Sequence, residues 1–75
     1  MSAKEELKSA REMFEELGYK QDYNIDYAIR YCNEERDYYI YFYKYVRKIE
    51  VLHDITLQEL KAINKQVEEL GWNKW

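Results

Sequence analysis

Residues 38 to 46 read Tyr-Tyr-Ile-Tyr-Phe-Tyr-Lys-Tyr-Val, and no other stretch constrains the fold so tightly. The run holds five of the nine tyrosines and is too aromatic for an ordinary surface helix. As a strand it alternates, with Tyr39, Tyr41, Tyr43 and Tyr45 on one side and Tyr38, Ile40 and Phe42 on the other. One side can be core. The other is then a wet row of phenols, chosen either for strand propensity or as a docking surface. Helical spacing (Tyr39, Phe42, Tyr43, Val46) also fits, so a three-helix chain is the alternative. The density of aromatic and β-branched residues favours the strand.

Both ends carry helix punctuation. Ser2 followed by Glu5 has the capping-box pattern, and Leu7, Ala10, Phe14 and Leu17 then make one apolar stripe. Gly18 stands where a left-handed residue ends a helix, with Tyr19 as the hydrophobic contact of that cap. The second helix repeats the device. Thr56 and Glu59 form a capping box, Ile55 and Leu60 a hydrophobic staple, and Gly71-Trp72 the stop. Helices are expected over 3–17 and 57–70.

The middle is β. Ile25, Tyr27, Ile29 and Tyr31 alternate with Asp26, Ala28, Arg30 and Cys32, as a half-buried strand should. Residues 33–37 are a polar turn, and Ile49 and Val51 alternate with Lys48, Glu50 and Leu52 after the tyrosine run. Strands over about 24–32, 38–43 and 48–53 give an α+β domain of order α-β-β-β-α. It is a three-stranded antiparallel meander with both helices on one face, because two apolar stripes cover one side of a sheet and not both. The expected core is Leu7, Phe14, Leu17, Ile25, Tyr27, Ile29, Ile40, Phe42, Ile49, Val51, Leu57, Leu60, Ile63, Val67 and Leu70. The open face presents Tyr39, Tyr41 and Tyr43 beside Ala28, Arg30 and Cys32.

At 75 residues the chain is one small domain, 47% hydrophobic and 36% charged, a globular mixture with thin stability margins. Cys32 is the single cysteine, so no internal disulfide forms and a reducing cytoplasm is the simplest setting. The first residues carry acids and no apolar run, so no signal peptide is expected. Residues 38–43 are the longest uncharged apolar run, far short of the ~20 that span a bilayer, so no membrane partner is expected.

Catalysis finds little material. Ser2 and Thr56 are assigned to caps, and Ser9 is placed on a helix with no base near it. His53-Asp54 is the one pair that can form an oriented base, yet it sits at a strand-to-helix junction, where Asp54 supports the helix amino terminus. One Cys and one His do not make a zinc site, the carboxylates lack calcium-loop spacing, and both glycines are assigned to helix ends. No catalytic residue, metal or cofactor is therefore expected.

Binding is the better-supported class. Tyr39, Tyr41, Tyr43, Tyr45 and Arg30 are interface-type residues on one face, with Lys44 and Arg47 at its end. Tyr43 to Lys48 interleaves aromatics with cations, a pattern that also suits single-stranded nucleic acid. The net charge of −3 and the acids at 22, 26, 34, 35 and 37 weigh against that partner. Self-association through tyrosine faces or sheet edges is the third option.

Three segments carry a resemblance: Met13-Phe-Glu-Glu-Leu-Gly-Tyr19, Glu34-Glu-Arg-Asp-Tyr-Tyr-Ile-Tyr-Phe42 and Ile55-Thr-Leu-Gln-Glu-Leu-Lys-Ala-Ile-Asn-Lys-Gln-Val-Glu-Glu-Leu-Gly-Trp72. They resemble small uncharacterised proteins encoded by phages and prophages of low-GC Gram-positive bacteria. The likeness brings no catalytic motif. It implies an accessory protein that works in the cytoplasm of a bacterial host by stoichiometric protein binding, such as an inhibitor that blunts a host defence complex like a CRISPR nuclease. Residues Tyr43 to His53 depart most from the group, which makes them a place to look for specificity.

Overall fold

Four strands form the sheet, one more than the alternating pattern predicts. The computed structural model describes residues 8–73. Its elements are α1 (Ala10–Glu16), β1 (Lys20–Ile25), β2 (Ala28–Asn33), β3 (Tyr38–Tyr43), β4 (Lys48–Val51) and α2 (Leu57–Glu69). The strands form an antiparallel meander in the order β1-β2-β3-β4. The α+β class holds, and the expected strand over 24–32 is in fact two. Ile25 pairs with Ala28 across a two-residue turn at Asp26-Tyr27 that contains no glycine or asparagine. Residues 20–23 lie outside the expected strands because β1 is an edge strand with a polar sequence, and a bulge at Asp22 interrupts its alternation.

Helix α1 starts later than expected. Ser9 is extended (φ −76°, ψ 161°), so no helix passes through it. Its hydroxyl accepts from Glu12 N at 3.1 Å, and the Glu12 carboxylate accepts from Ser9 N at 2.9 Å. This is the capping box that the sequence offers twice, at Ser2–Glu5 and at Ser9–Glu12; the first, with Leu7, lies outside the described residues. Both helix stops form as expected. Gly18 (φ 91°) and Gly71 (φ 75°) are left-handed, and the amides of Tyr19 and Trp72 reach back to Phe14 O and Val67 O at 3.0 Å each. Tyr19 then packs edge-on against Phe14, with ring centroids 5.6 Å apart.

The core lies between the helices and one sheet face. Phe14, Ile29, Tyr31, Ile40 and Phe42 are its largest fully buried side chains, joined by Tyr19, Ala62, Ile63 and Trp72. Phe14 stacks on Tyr31 with centroids 4.1 Å apart. Each such aromatic or aliphatic side chain contributes ~1.5–3 kcal/mol on burial.

Several expected core positions are on the surface. Ile25 is paired with Ala28 and so faces away from the helices, while Tyr27 sits in the turn and is 60% exposed. Leu57 and Leu60 are exposed because α2 turns Glu59, Ala62, Ile63 and Gln66 inward instead. The two polar members meet buried phenols. Tyr31 donates its hydroxyl to Gln66 Oε1 at 2.6 Å, and Tyr19 donates to Glu59 Oε2 at 2.5 Å. Ile49 is half-covered on the last, four-residue strand, which stops at Val51 and leaves Leu52 and His53 in the connection to α2.

Replacing Tyr31 with Phe keeps the ring packing and strands the Gln66 amide. The expected cost is about 1–3 kcal/mol in urea unfolding. Adding Gln66→Met to that variant should recover most of the loss, since no buried donor or acceptor is then left unpaired.

Candidate functional site

The alternation of β2 and β3 carries one set of side chains to the helices and the other to the open face. Register places Ala28 opposite Tyr43, Arg30 opposite Tyr41 and Cys32 opposite Tyr39. Ala28 and Cys32 are buried although no helix covers them, and Tyr39, Tyr41 and Tyr43 are half-buried. The expected face therefore forms, with tyrosine rings roofing the small residues of β2. Cys32 is a buried free thiol.

Arg30 lies at the centre. Its guanidinium carbon is 4.6 Å from the Tyr39 ring centroid, 5.7 Å from Tyr41 and 5.9 Å from Tyr23. Cation–π attraction to three rings holds an otherwise flexible side chain flat against the sheet. Asp22, set beside it by the bulge in β1, brings Oδ2 to 3.0 Å from Arg30 Nε. The contact is Coulombic and poorly aligned, so the enclosed Nε is left without a hydrogen bond.

The tyrosine row is ordered by its own stacking. Tyr41 and Tyr43 are parallel within 1° at 5.9 Å, and Tyr39 and Tyr41 lie 6.5 Å apart at 30°. Acids stand at both ends of the row. Tyr43 donates to Glu50 Oε1 at 2.9 Å, and hydrogen bonding to Glu50 lifts its phenol above the ordinary value. The nearby Asp37 carboxylate raises the Tyr39 phenol as well. The hydroxyl of Tyr41, between them, makes no hydrogen bond to any described residue.

The remaining site candidates lie at the end of this face. Tyr45 is not part of the row, because β3 ends at Tyr43 and residues 44–47 form the loop to β4. It is 79% exposed. Arg47 closes that loop in the left-handed region (φ 53°). Lys44 is drawn to β1, where its Nζ donates to Asn24 Oδ1 at 2.8 Å. Both sheet edges are blunted, β1 by its bulge and β4 by its length and by Lys48 and Glu50, which disfavours edge-to-edge pairing.

His53 belongs to a second cluster, on the helix side. Its Nε2 is 3.0 Å from the Tyr19 hydroxyl and 3.3 Å from Glu59 Oε2, and its ring stacks on Tyr38 at 3.7 Å. Glu59 Oε1 accepts from Thr56 N at 2.7 Å. Burial opposes ionisation of Glu59, yet hydrogen bonds from Tyr19, the Thr56 backbone and His53 together hold its carboxyl below the ordinary 4.5. Burial also pushes the Tyr19 phenol well above 10.0, and the bond to Glu59 adds to the rise. The sequence gives no sign of this cluster beyond Glu59 as a capping residue, since its members lie 34 and 40 positions from Tyr19. Among the described residues, no group of three or more His, Cys, Asp or Glu side chains is arranged to hold a metal, and no helix is long and apolar enough to cross a membrane.

Comparison with known proteins adds no relative: no family model matches the chain, and no curated protein or solved structure matches it either.

The raised Tyr19 phenol fixes a sign for alkaline stability. Its contribution is complete below the unfolded value of 10.0 and is lost as pH rises through the higher folded value. Urea midpoints followed from about pH 9 to about pH 12 should fall less steeply in Tyr19→Phe than in the parent chain, and equal slopes would remove Tyr19 from the account.

Proposed function

We propose that the protein acts without catalysis, by binding another protein stoichiometrically through the open face of its sheet. The observation that supports this most directly is the state of the Tyr39–Tyr41–Tyr43 row. Its rings are stacked, the Tyr43 hydroxyl is tethered to Glu50, and the central Tyr41 hydroxyl has no partner among the described residues. Tyrosine has few rotors, and here they are already restrained, so docking on this row costs little side-chain entropy. Arg30, pinned beneath the rings, adds a fixed positive charge at the centre of the patch. A nucleic-acid backbone is less well served. It would meet Asp22, Asp37 and Glu50 around the row, and Lys44 is engaged with Asn24.

The narrower form of the proposal is a phage accessory protein whose target is a host protein, such as a component of a CRISPR nuclease. That form rests on the resemblance of segments 13–19, 34–42 and 55–72 to phage proteins.

The decisive comparison is between the parent chain and the Tyr39→Ser, Tyr41→Ser, Tyr43→Ser variant. Both are used to capture partners from a nuclease-treated low-GC Gram-positive lysate. Truncating central aromatic anchors removes ~2 kcal/mol or more each, so the variant should bind its prey at least about thirty-fold more weakly, with the far-ultraviolet circular dichroism unchanged. Equal capture by both chains would overturn the assignment of the face. A sedimentation mass near twice the chain's 9.4 kDa, lost in the same variant, would reassign the face to self-association.

A further inference from the structure

The β2–β3 loop, the β4–α2 connection and the end of α1 border an open cleft of about 300 Å³. Its wall includes Asn33, Arg36, Tyr38, Asp54 and Glu59, none of them on the open tyrosine row. The volume is at the small end for ligand pockets, suited to a metabolite of amino-acid size.

Three groups in this wall are unmatched within the chain. Asn33 is only 6% exposed, and its Oδ1 accepts from Arg36 N at 3.2 Å. Its Nδ2 packs against Gly18, 3.2 Å from where a side chain would begin, and donates to no described residue. That N–H is still reached by solvent, since Arg30 Nε is the one enclosed side-chain atom without a partner among the described residues, and the amide is therefore a donor open to a ligand. Arg36 lies close enough to Tyr19 to act on its phenol, yet makes no ion pair with any described residue. Asp54 makes none either. A guanidinium and a carboxylate thus line one cleft without closing on each other.

The remaining carboxylate is already committed. Glu59 receives Thr56 N on Oε1 and the Tyr19 hydroxyl on Oε2, with His53 beside it. Two carboxylates against one guanidinium disfavour a simple anion, and Arg36 disfavours a simple cation. A ligand carrying both signs satisfies all three unmatched groups.

We propose that this cleft binds a small zwitterion of the α-amino acid class, with its carboxylate on Arg36 and Asn33 Nδ2 and its ammonium on Asp54. A planar guanidinium together with an amide N–H suits a carboxylate, because two oxygens are met by donors from two directions. Tyr38, stiffened by its stack on His53, and Leu17 offer an apolar wall to the ligand's side chain. The inference is independent of the tyrosine face, and either can fail without the other.

The test titrates the isotope-labelled full chain with each protein amino acid to about 20 mM, following the Asn33 side-chain amide and the Gly18 and Arg36 backbone amides by NMR. At least one amino acid should shift these signals saturably. For the tightest binder, its deaminated and decarboxylated analogues should each bind at least about ten-fold more weakly, as should Arg36→Gln and Asp54→Asn with the original ligand. Both substitutions are at exposed positions, and unchanged backbone spectra establish that the variants are folded. If no amino acid moves the Asn33 amide, or if the deaminated analogue binds as tightly as its parent, the proposal is wrong.

Discussion

Because Phe14 stacks on Tyr31 and Tyr31 hands its hydroxyl to Gln66, one side chain couples α1, the central strand β2 and α2. Gln21 of the edge strand donates to the same hydroxyl at 3.2 Å, so β1 is tied to the same point. A chain this small has room for few core layers, and an aromatic ring with a polar tip does two jobs in one volume. The ring fills the interior, and the hydroxyl specifies which face of α2 turns inward. Tyr19 repeats the arrangement with Glu59. Two buried phenols therefore bias the rotation of α2 within its apolar stripe, whose Ile63, Val67 and Leu70 still pack on the core. That is why Leu57 and Leu60 are left at the surface.

What was legible in the sequence follows from this division. Helix stops depend on local backbone chemistry, and Gly18-Tyr19 and Gly71-Trp72 behave as their spacing says. The tyrosine run likewise declares its own alternation, so the inner pair Ile40 and Phe42 and the outer row 39, 41 and 43 were readable at once. The order of helices and meander, with one open sheet face, needed nothing more.

The illegible parts are those where a non-local partner decides. Strand β1 is held by pairing to β2 and by Gln21, and nothing in Lys-Gln-Asp-Tyr-Asn announces an edge strand. Glu59 and Gln66 look solvated until their phenols, dozens of residues away in sequence, are placed opposite them. Ser9–Glu12 has the same local pattern as Ser2–Glu5, and an expected helix start at the earlier pattern puts Ser9 inside the helix. Tyr45 was assigned to the row because a loop without glycine, proline or asparagine gives no stop signal; Arg47 supplies the left-handed turn residue instead. For the open tyrosine face, position was legible. The pinning of Arg30 was not, because it depends on the bulge that places Asp22.

The two-residue alternation of β3 separates its inner and outer side chains completely. Ile40 and Phe42 answer to the core, while Tyr39, Tyr41 and Tyr43 answer to whatever meets the outside. A lineage carrying this fold can therefore change the outer row one position at a time without touching the helix-side core, provided Ala28 and Cys32 stay covered. In a protein whose counterpart also changes, such separation of the two faces sets the pace at which new specificity can arise without loss of the scaffold.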